Sequence, residues 1–370
     1  MHFSARPTLP TQPDRLLLIV ALITATWLGG CATQTPVATS EQAPQRRAAQ
    51  SNAAPSVSSA NSAEENALLQ LVALQDRLDR IAAPLLVNNP PLCKNNARRL
   101  LGFTAKTRYS YGADNVAAAQ KLFGLDEQLH VTNVLPGSGA ARAGVARGDI
   151  LQSVEDKPMP QGENAERQAA TLLAPIVHGR SSVKLMVQRD GEVKTLQVPL
   201  TSACALRVEL GNSDAANAFS DGHRVLVTRG MMQLARSDQE LAYVLGREMA
   251  HDVLGHSAHL HNSAATASAI DNLIRIKPDL GMMNGTAGIK PYPRDTDLAA
   301  DITGLYLVAR AGYPLDDAAV FWQRVADKSP VTVLNGYTAI HPSTTARLTA
   351  IEKTVATIAT KQASNKTLIP

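Results

Sequence analysis

Leu241-Ala-Tyr-Val-Leu-Gly-Arg247-Glu248-Met-Ala-His251-Asp-Val-Leu-Gly255-His256 is the stretch on which the reading of this chain turns. It reads as one helix from Asp238 to about His256, with Ser237 or Asp238 as a natural N-cap. Positions 247 and 251 are four apart and so share a face. Two His at that spacing, with Glu after the first, bind Zn²⁺ while the Glu acts as general base. Here the first position is Arg247, which keeps its proton and offers a metal no lone pair. The stretch therefore predicts a metal-site helix with one ligand missing.

The rest of the chain sets the context. Its 370 residues are enough for two ordinary domains. The formal charge is +4, Lys and Arg are scattered, and aromatics are few, so nucleic-acid binding is not indicated. At the N-terminus, Arg6 and Arg15 flank an apolar run from Leu16 to Trp27, shorter than the ~20 residues a spanning helix needs. The run ends in Leu28-Gly-Gly-Cys31, which resembles a bacterial lipobox. That resemblance implies lipidation at Cys31 and, with Ala32 rather than Asp following, an outer-membrane lipoprotein facing the periplasm. The plain alternative is a signal peptide with a chance Cys. Asp14 departs from a purely basic leader. Residues 32–63, rich in Ala, Ser, Gln, Pro and Thr, read as a disordered tether. Residues 64–92 read as an amphipathic helix packed on the globular body, ended by Pro84 and the Asn-Asn-Pro-Pro at 88–91.

Residues 93–204 read as a β-rich domain. Val183 to Val198 is a pair of alternating strands around Asp190-Gly191. Upstream, Val134-Leu-Pro-Gly-Ser-Gly-Ala-Ala-Arg-Ala-Gly144-Val-Ala-Arg-Gly148-Asp149-Ile-Leu resembles the circularly permuted PDZ domain of bacterial envelope proteases. The resemblance implies a groove for peptide or unfolded-protein segments, with the N–H groups of Leu101, Gly102 and Phe103 cradling a C-terminal carboxylate. The alternative for Leu101-Gly-Phe103 is a buried strand. Cys93 and Cys204 bracket this domain and are the two thiols left if Cys31 carries lipid. In an oxidising compartment they are expected to pair; otherwise they are two buried thiols.

Residues 205–361 read as a mainly helical domain, followed by a tail at 362–370. A hairpin runs from Asn217 to Gly230 with its turn near Asp221-Gly222, and its strand 223–228 is expected to be exposed. Residues 262–295, with several Gly and Pro, read as a mobile loop; helices follow from Asp295 to Ala309 and from Leu315 to Ala326. His341-Pro-Ser343 is expected to cap a last helix from Thr344 to about Thr357. Five elements, Asn217-Ala-Phe, Val227-Thr-Arg-Gly230, the 241–256 helix, Asp297-Leu-Ala-Ala-Asp301 with Gly304, and His341-Pro-Ser with Arg347, occur in the order of the family-48 zinc metallopeptidases. This domain is similar to that family, which includes CAAX-prenyl proteases and BepA-like bacterial envelope proteases. The expected class is α+β: a PDZ-like β-rich domain, then a helical zincin-like one.

The resemblance implies roles residue by residue. Glu248 matches the catalytic Glu and His251 the second metal ligand. Asp297 stands where the family has a Glu ligand, one methylene longer, and Asp301 matches the Asp that orients a His ring. His341 sits where a His reaches the cleft. His256, five residues past His251, falls on another face of a continuous helix; His259 and His261 read as solvated. Arg247 leaves two matched ligands, below the usual three or more. Its guanidinium is expected to take the place of Zn²⁺ and bind Asp297 or Glu248; the alternative is that it reaches out to solvent. The cofactor is zinc if the protein is active, and none otherwise. Three functions follow: an envelope protein-quality-control protein with proteolysis absent or impaired, an active zinc metalloendopeptidase with an unusual ligand set, or a non-enzymatic structural lipoprotein.

Overall fold

The computed structural model describes residues 57–328, 338, 340–342 and 344–370. The apolar leader, Cys31 and the tether as far as residue 56 lie outside the described residues. The α+β class holds, with a β-rich region preceding a mainly helical one. Among the described residues no helix is long and apolar enough to cross a membrane.

Helix α1 spans Val57–Val87, so residues 57–63, expected in the tether, are helical. Pro84 lies inside α1 rather than ending it. The helix survives because Asn88 N–H still donates to the Pro84 carbonyl at 3.0 Å, while Leu78, Ile81 and Leu85 beside it are at most 1 % exposed. Each such burial contributes about 1.5–3 kcal/mol, enough to offset one lost backbone hydrogen bond. A short α2 (Pro90–Cys93) follows.

The β-rich region contains β1 (Ala97–Leu100), β2 (Phe103–Lys106), β3 (His130–Val134), β4 (Ile150–Val154), β5 (Lys157–Pro158), β6 (Ser182–Arg189), β7 (Glu192–Pro199) and β8 (Thr201–Cys204). Its helices are α3 (Val116–Phe123), α4 (Gly139–Arg142) and α5 (Ala165–Val177). The main sheet runs β2-β3-β4-β6-β7, with β5 on β4, and β1 pairs β8 separately. In β6, Val183, Leu185 and Val187 alternate into the core, as a one-sided strand requires. Asp190 (φ 53°) and Gly191 (φ 83°) make the tight β6–β7 turn. Cys93 and Cys204 are bridged, with Cα atoms 5.6 Å apart.

The helical region opens with a three-stranded sheet, β9 (Arg207–Gly211), β10 (Ala218–Ser220) and β11 (Arg224–Thr228), in the order β10-β11-β9. The strand expected to be exposed at 223–228 is β11, which is central, with every residue from 224 to 228 buried. Its helices are α6 (Arg229–Leu234), α7 (Asp238–Val253), α8 (His256–His259), α9 (Ser263–Leu273), α10 (Arg294–Arg310), α11 (Ala318–Lys328) and α12 (Thr345–Ala363). The expected loop at 262–295 thus contains α9, whose Ala269, Ile270 and Leu273 pack on Phe219 and Leu226. Thr344, not His341, caps α12, its side chain accepting from Arg347 N; α12 also takes up the first residues of the expected tail.

Candidate functional site

Helix α7 is started by Ser237, whose hydroxyl accepts from Glu240 N at 3.2 Å. Glu240 reaches back to Arg236 N at 2.7 Å, so the Ser-x-x-Glu sequence closes a reciprocal cap. From Glu240 to Val253 every residue is buried. Against α7 lies α10, and two glycines let the backbones meet. A Cβ on Gly246 would stand 2.8 Å from the Gly304 carbonyl oxygen, and one on Gly304 would stand 2.9 Å from Arg247 N. This approach delivers Arg247 to the acidic face of α10.

Arg247 is 1 % exposed and does not reach solvent. Its NH2 donates to Asp297 Oδ1 at 2.6 Å and lies 3.1 Å from His341 Nδ1, while NH1 bonds Asp301 Oδ1. The expected pairing with Asp297 is present, but the second arm of the fork takes Asp301 rather than Glu248. Asp301 therefore holds two guanidinium groups, since Arg347 Nε also donates to its Oδ2 at 2.7 Å. Trp322 stacks beside both cations, 5.5 Å from the Arg247 guanidinium and 5.1 Å from that of Arg347.

The structure brings Glu248, His251, Asp297 and His341 together. His341 Nδ1 lies 3.0 Å from Asp297 Oδ1 and its Nε2 lies 3.3 Å from Glu248 Oε1. His251 Nε2 lies 3.7 Å from Asp297 Oδ1. Burial, then the charges of His341 and Arg247, hold the His251 ring well below the usual imidazole range. Burial pushes Asp297 up, but Arg247 and His341 outweigh it, and its carboxyl is held below the usual carboxylate range. Burial drives Asp252 well above that range.

His256 also joins the cluster, against expectation. Helix α7 ends at Val253, and Gly255 adopts φ 74°, a left-handed conformation that suits glycine and turns the chain back. His256 Nδ1 thereby comes 3.0 Å from His251 Nδ1. Burial lowers the His256 ring to about 4, so this pair is neutral and shares one proton. His259 and His261 are exposed. Tyr292 was missed in the sequence. Its ring stacks on His251 at 4.1 Å and on His341 at 5.1 Å, and its hydroxyl lies 3.1 Å from Ser257 Oγ. Ser257 in turn donates to the Ser220 carbonyl on β10 at 2.8 Å. Its only sequence signal was the Pro291-Tyr-Pro293 frame.

The donors can be tested against a metal. His251, Asp297 and His341 offer ligand atoms within 4.8 Å of one another, and among the described residues none hydrogen-bonds His251 Nε2. Against this, Asp297 Oδ1 is already held by Arg247 at 2.6 Å. A dication bound to that oxygen at the usual ~2.0–2.2 Å would sit within about 5 Å of a fixed positive charge, away from bulk water. With Arg247 in this position, the residues present do not fit zinc.

Elsewhere, Leu101 and Phe103 pack half-buried on the core of the β-rich region. Gly102, at φ 87°, accepts from Leu135 N at 2.8 Å. Phe103 opens β2, an edge strand of its sheet. A cavity of about 800 Å³ lies between α1, β2, β3 and the end of α9, and none of the Arg247 cluster lines it.

Residues 182–355, from β6 through most of α12, match the model of Peptidase family M48. Among curated proteins, the chain is similar to the mitochondrial metalloendopeptidase OMA1 of Schizosaccharomyces pombe, at 28% identity over 144 residues, 37% of this chain and 43% of the relative. It is similar to OMA1 of Arabidopsis thaliana at 29% over 136 residues, 36% and 28% of the two chains. The periplasmic pH-dependent serine endoprotease DegQ of Escherichia coli matches at 36% over 94 residues, 25% and 20% of the two. The chain thus spans less than half the length of each of these relatives. Among solved structures, the HtrA-type protease AlgW with a decapeptide aligns at TM-score 0.21 and 21% identity, over 29% of this chain and 30% of that one. The HtrA3 PDZ domain bound to a phage-derived ligand aligns at TM-score 0.21 and 20% identity, over 29% and 88%.

Proposed function

We propose that this chain is an outer-membrane lipoprotein facing the periplasm, in which a metallopeptidase-type domain has exchanged its metal for an internal guanidinium. Proteolysis is absent or impaired, and the protein acts in envelope quality control by holding peptide or unfolded-protein segments on a PDZ module. The observation that carries this is Arg247, buried and shared among Asp297, Asp301 and His341. Without a metal, water beside Glu248 keeps a bulk-like pKa and is a weak nucleophile at neutral pH. Peptide binding is supported by the Leu101–Phe103 turn opening an edge strand, the arrangement strand addition requires.

A second reading, an active zinc endopeptidase, is favoured by the closeness of His251, Asp297 and His341. Zinc per chain in the full-length protein, beside Arg247→His, separates the two. The proposal expects no stoichiometric zinc in wild type and zinc in the variant. Stoichiometric zinc in wild type overturns it. Loss of binding to C-terminal peptides in Phe103→Asp, with the fold intact, separates a peptide-holding protein from a purely structural one.

A further inference from the structure

One face of α1 forms a wall of the cavity of about 800 Å³, a volume within the ~300–1,000 Å³ usual for small-molecule sites. Leu68, Leu71, Val72, Gln75, Asp76 and Asp79 line it, at the three- and four-residue spacing of a single helix face. That face changes character along its length. From Leu68 to Val72 it is apolar, and Leu122 and Phe123 of α3 add to the same lining. Asp79, at the polar end, lies roughly 16 Å along the helix axis from Leu68. Its Oδ1 accepts from Gln75 Nε2 at 2.7 Å and its Oδ2 from Asn133 Nδ2 of β3 at 2.6 Å. Both donors are neutral, and among the described residues no base bonds this carboxylate. An ionised carboxylate offers about four acceptor positions, so roughly two stay open. Burial, with the charges of Asp76 and of Glu209 on β9, raises the carboxyl to about 6 against the pull of the two hydrogen bonds. The bases that line the cavity are engaged or stand elsewhere. Arg147 bonds Asp76, His130 is held by Asp126 at 2.8 Å, and Lys106 lies 4.6 Å over the Tyr111 ring. Lys277 meets Glu64 at 3.0 Å, toward the start of α1, and Arg275 comes two residues before it.

We propose that this cavity binds a cationic amphiphile, a protonated primary amine held by Asp79 with its apolar chain lying along Val72, Leu71 and Leu68. Position sets both halves of the ligand. A half-buried carboxylate with open acceptor positions and two acidic neighbours takes a donor that brings positive charge. An alcohol would fill those positions without neutralising the charge, and an anion would meet Asp76 and Glu209. The apolar part of the helix face then fixes where the rest of the ligand lies, and its burial supplies affinity. The cavity shares no residue with the Arg247 cluster or with the Leu101–Phe103 turn, so the site is independent of metal binding and of peptide binding.

The test uses the full chain carrying Cys31→Ser, so that no lipid chain competes for the apolar wall. Octylammonium is titrated by calorimetry below its micelle concentration, beside butylammonium, octanol and octyl sulfonate. One octylammonium is expected per chain, bound more tightly than butylammonium by about fourfold for each added methylene that is buried. Octanol is expected to bind at least roughly tenfold more weakly, and octyl sulfonate not to compete. Asp79→Asn is expected to weaken octylammonium by roughly ten- to a hundredfold and to leave octanol unchanged. In the parent chain, amine binding is expected to fall as pH drops through about 6, because Asp79 takes up its proton while the ammonium stays charged. The variant should lose that pH dependence. Val72→Trp, which fills the apolar end, is expected to weaken amine and alcohol alike. The proposal is overturned if octylammonium shows no saturable binding or if octanol or octyl sulfonate binds as tightly. Amine binding that Asp79→Asn or Val72→Trp leaves unchanged places the amine elsewhere and overturns it too.

Discussion

Arg247 NH2 and Asp297 Oδ1 are 2.6 Å apart, with 2 % and 4 % of the two side chains exposed. A buried pair of this kind adds little over an apolar replacement of both partners, yet removing one partner strands the other. Arg247→Ala leaves Asp297 in place and also strips a guanidinium from Asp301. The expected cost is about 3–5 kcal/mol in denaturant unfolding. Adding Asp297→Asn to that variant is expected to recover part of the loss. An additive cycle would show that the two do not act as a pair.

Tyr292 covers the rings of His251 and His341, which are 0 % and 3 % exposed. Tyr292→Ala is expected to make both imidazoles reactive toward diethyl pyrocarbonate, read by peptide mass spectrometry, where the wild type is protected. It should also cost about 3 kcal/mol as a buried aromatic truncation.

Asp79 gives a pH dependence. Burial, reinforced by Asp76 and Glu209 and opposed by hydrogen bonds from Gln75 and Asn133, raises its carboxyl to about 6 from 3.8. The folded chain therefore holds this proton more tightly than the open chain. This site favours folding increasingly as pH falls from about 6 toward 3.8, and the cost of the buried charge is complete above that window. Asp79→Asn is expected to be more stable than wild type at neutral pH, by on the order of 2 kcal/mol, and to lose that advantage near the lower end of the window. Melting temperature against pH, for both proteins, checks it.

The Cys93–Cys204 bridge closes a loop with a sequence separation of 111. Reduction, or Cys204→Ser, is expected to cost about 2–5 kcal/mol. Unfolding with and without reductant measures it, and equal midpoints would mean the bridge adds nothing.

Legibility in the sequence followed the range of the forces involved. Helix α7, its Ser237 cap and the β6–β7 turn depend on near neighbours and could be read directly. A carboxylate partner for Arg247 could be read too, though only as Asp297 or Glu248; the choice of Asp297 needed the structure. The second arm of the guanidinium could not be read, since it depends on the Gly246–Gly304 approach that brings Asp301 within reach. His256 was misplaced because one left-handed residue, Gly255, ends the helix two positions before it would matter on a wheel. The central place of β11 was hidden because its parallel partner, β9, makes no hairpin with it. Helix α9 was hidden by the Gly and Pro that follow it.

Helix α1 is tied to parts of the chain that come much later. Gln75 bonds the Val208 carbonyl across a separation of 133 residues, Arg77 bonds Asp238 across 161, and Asn89 bonds the Leu307 carbonyl across 218. The chain emerges N-terminus first, from a ribosome and from a translocon alike, so each of these partners follows α1 by more than a hundred residues. Over that interval Leu78, Ile81 and Leu85 have been made while much of what buries them has not. The chain's most vulnerable moment is thus set by where α1 stands in the order of emergence: among the described helices it comes out before the elements that house it.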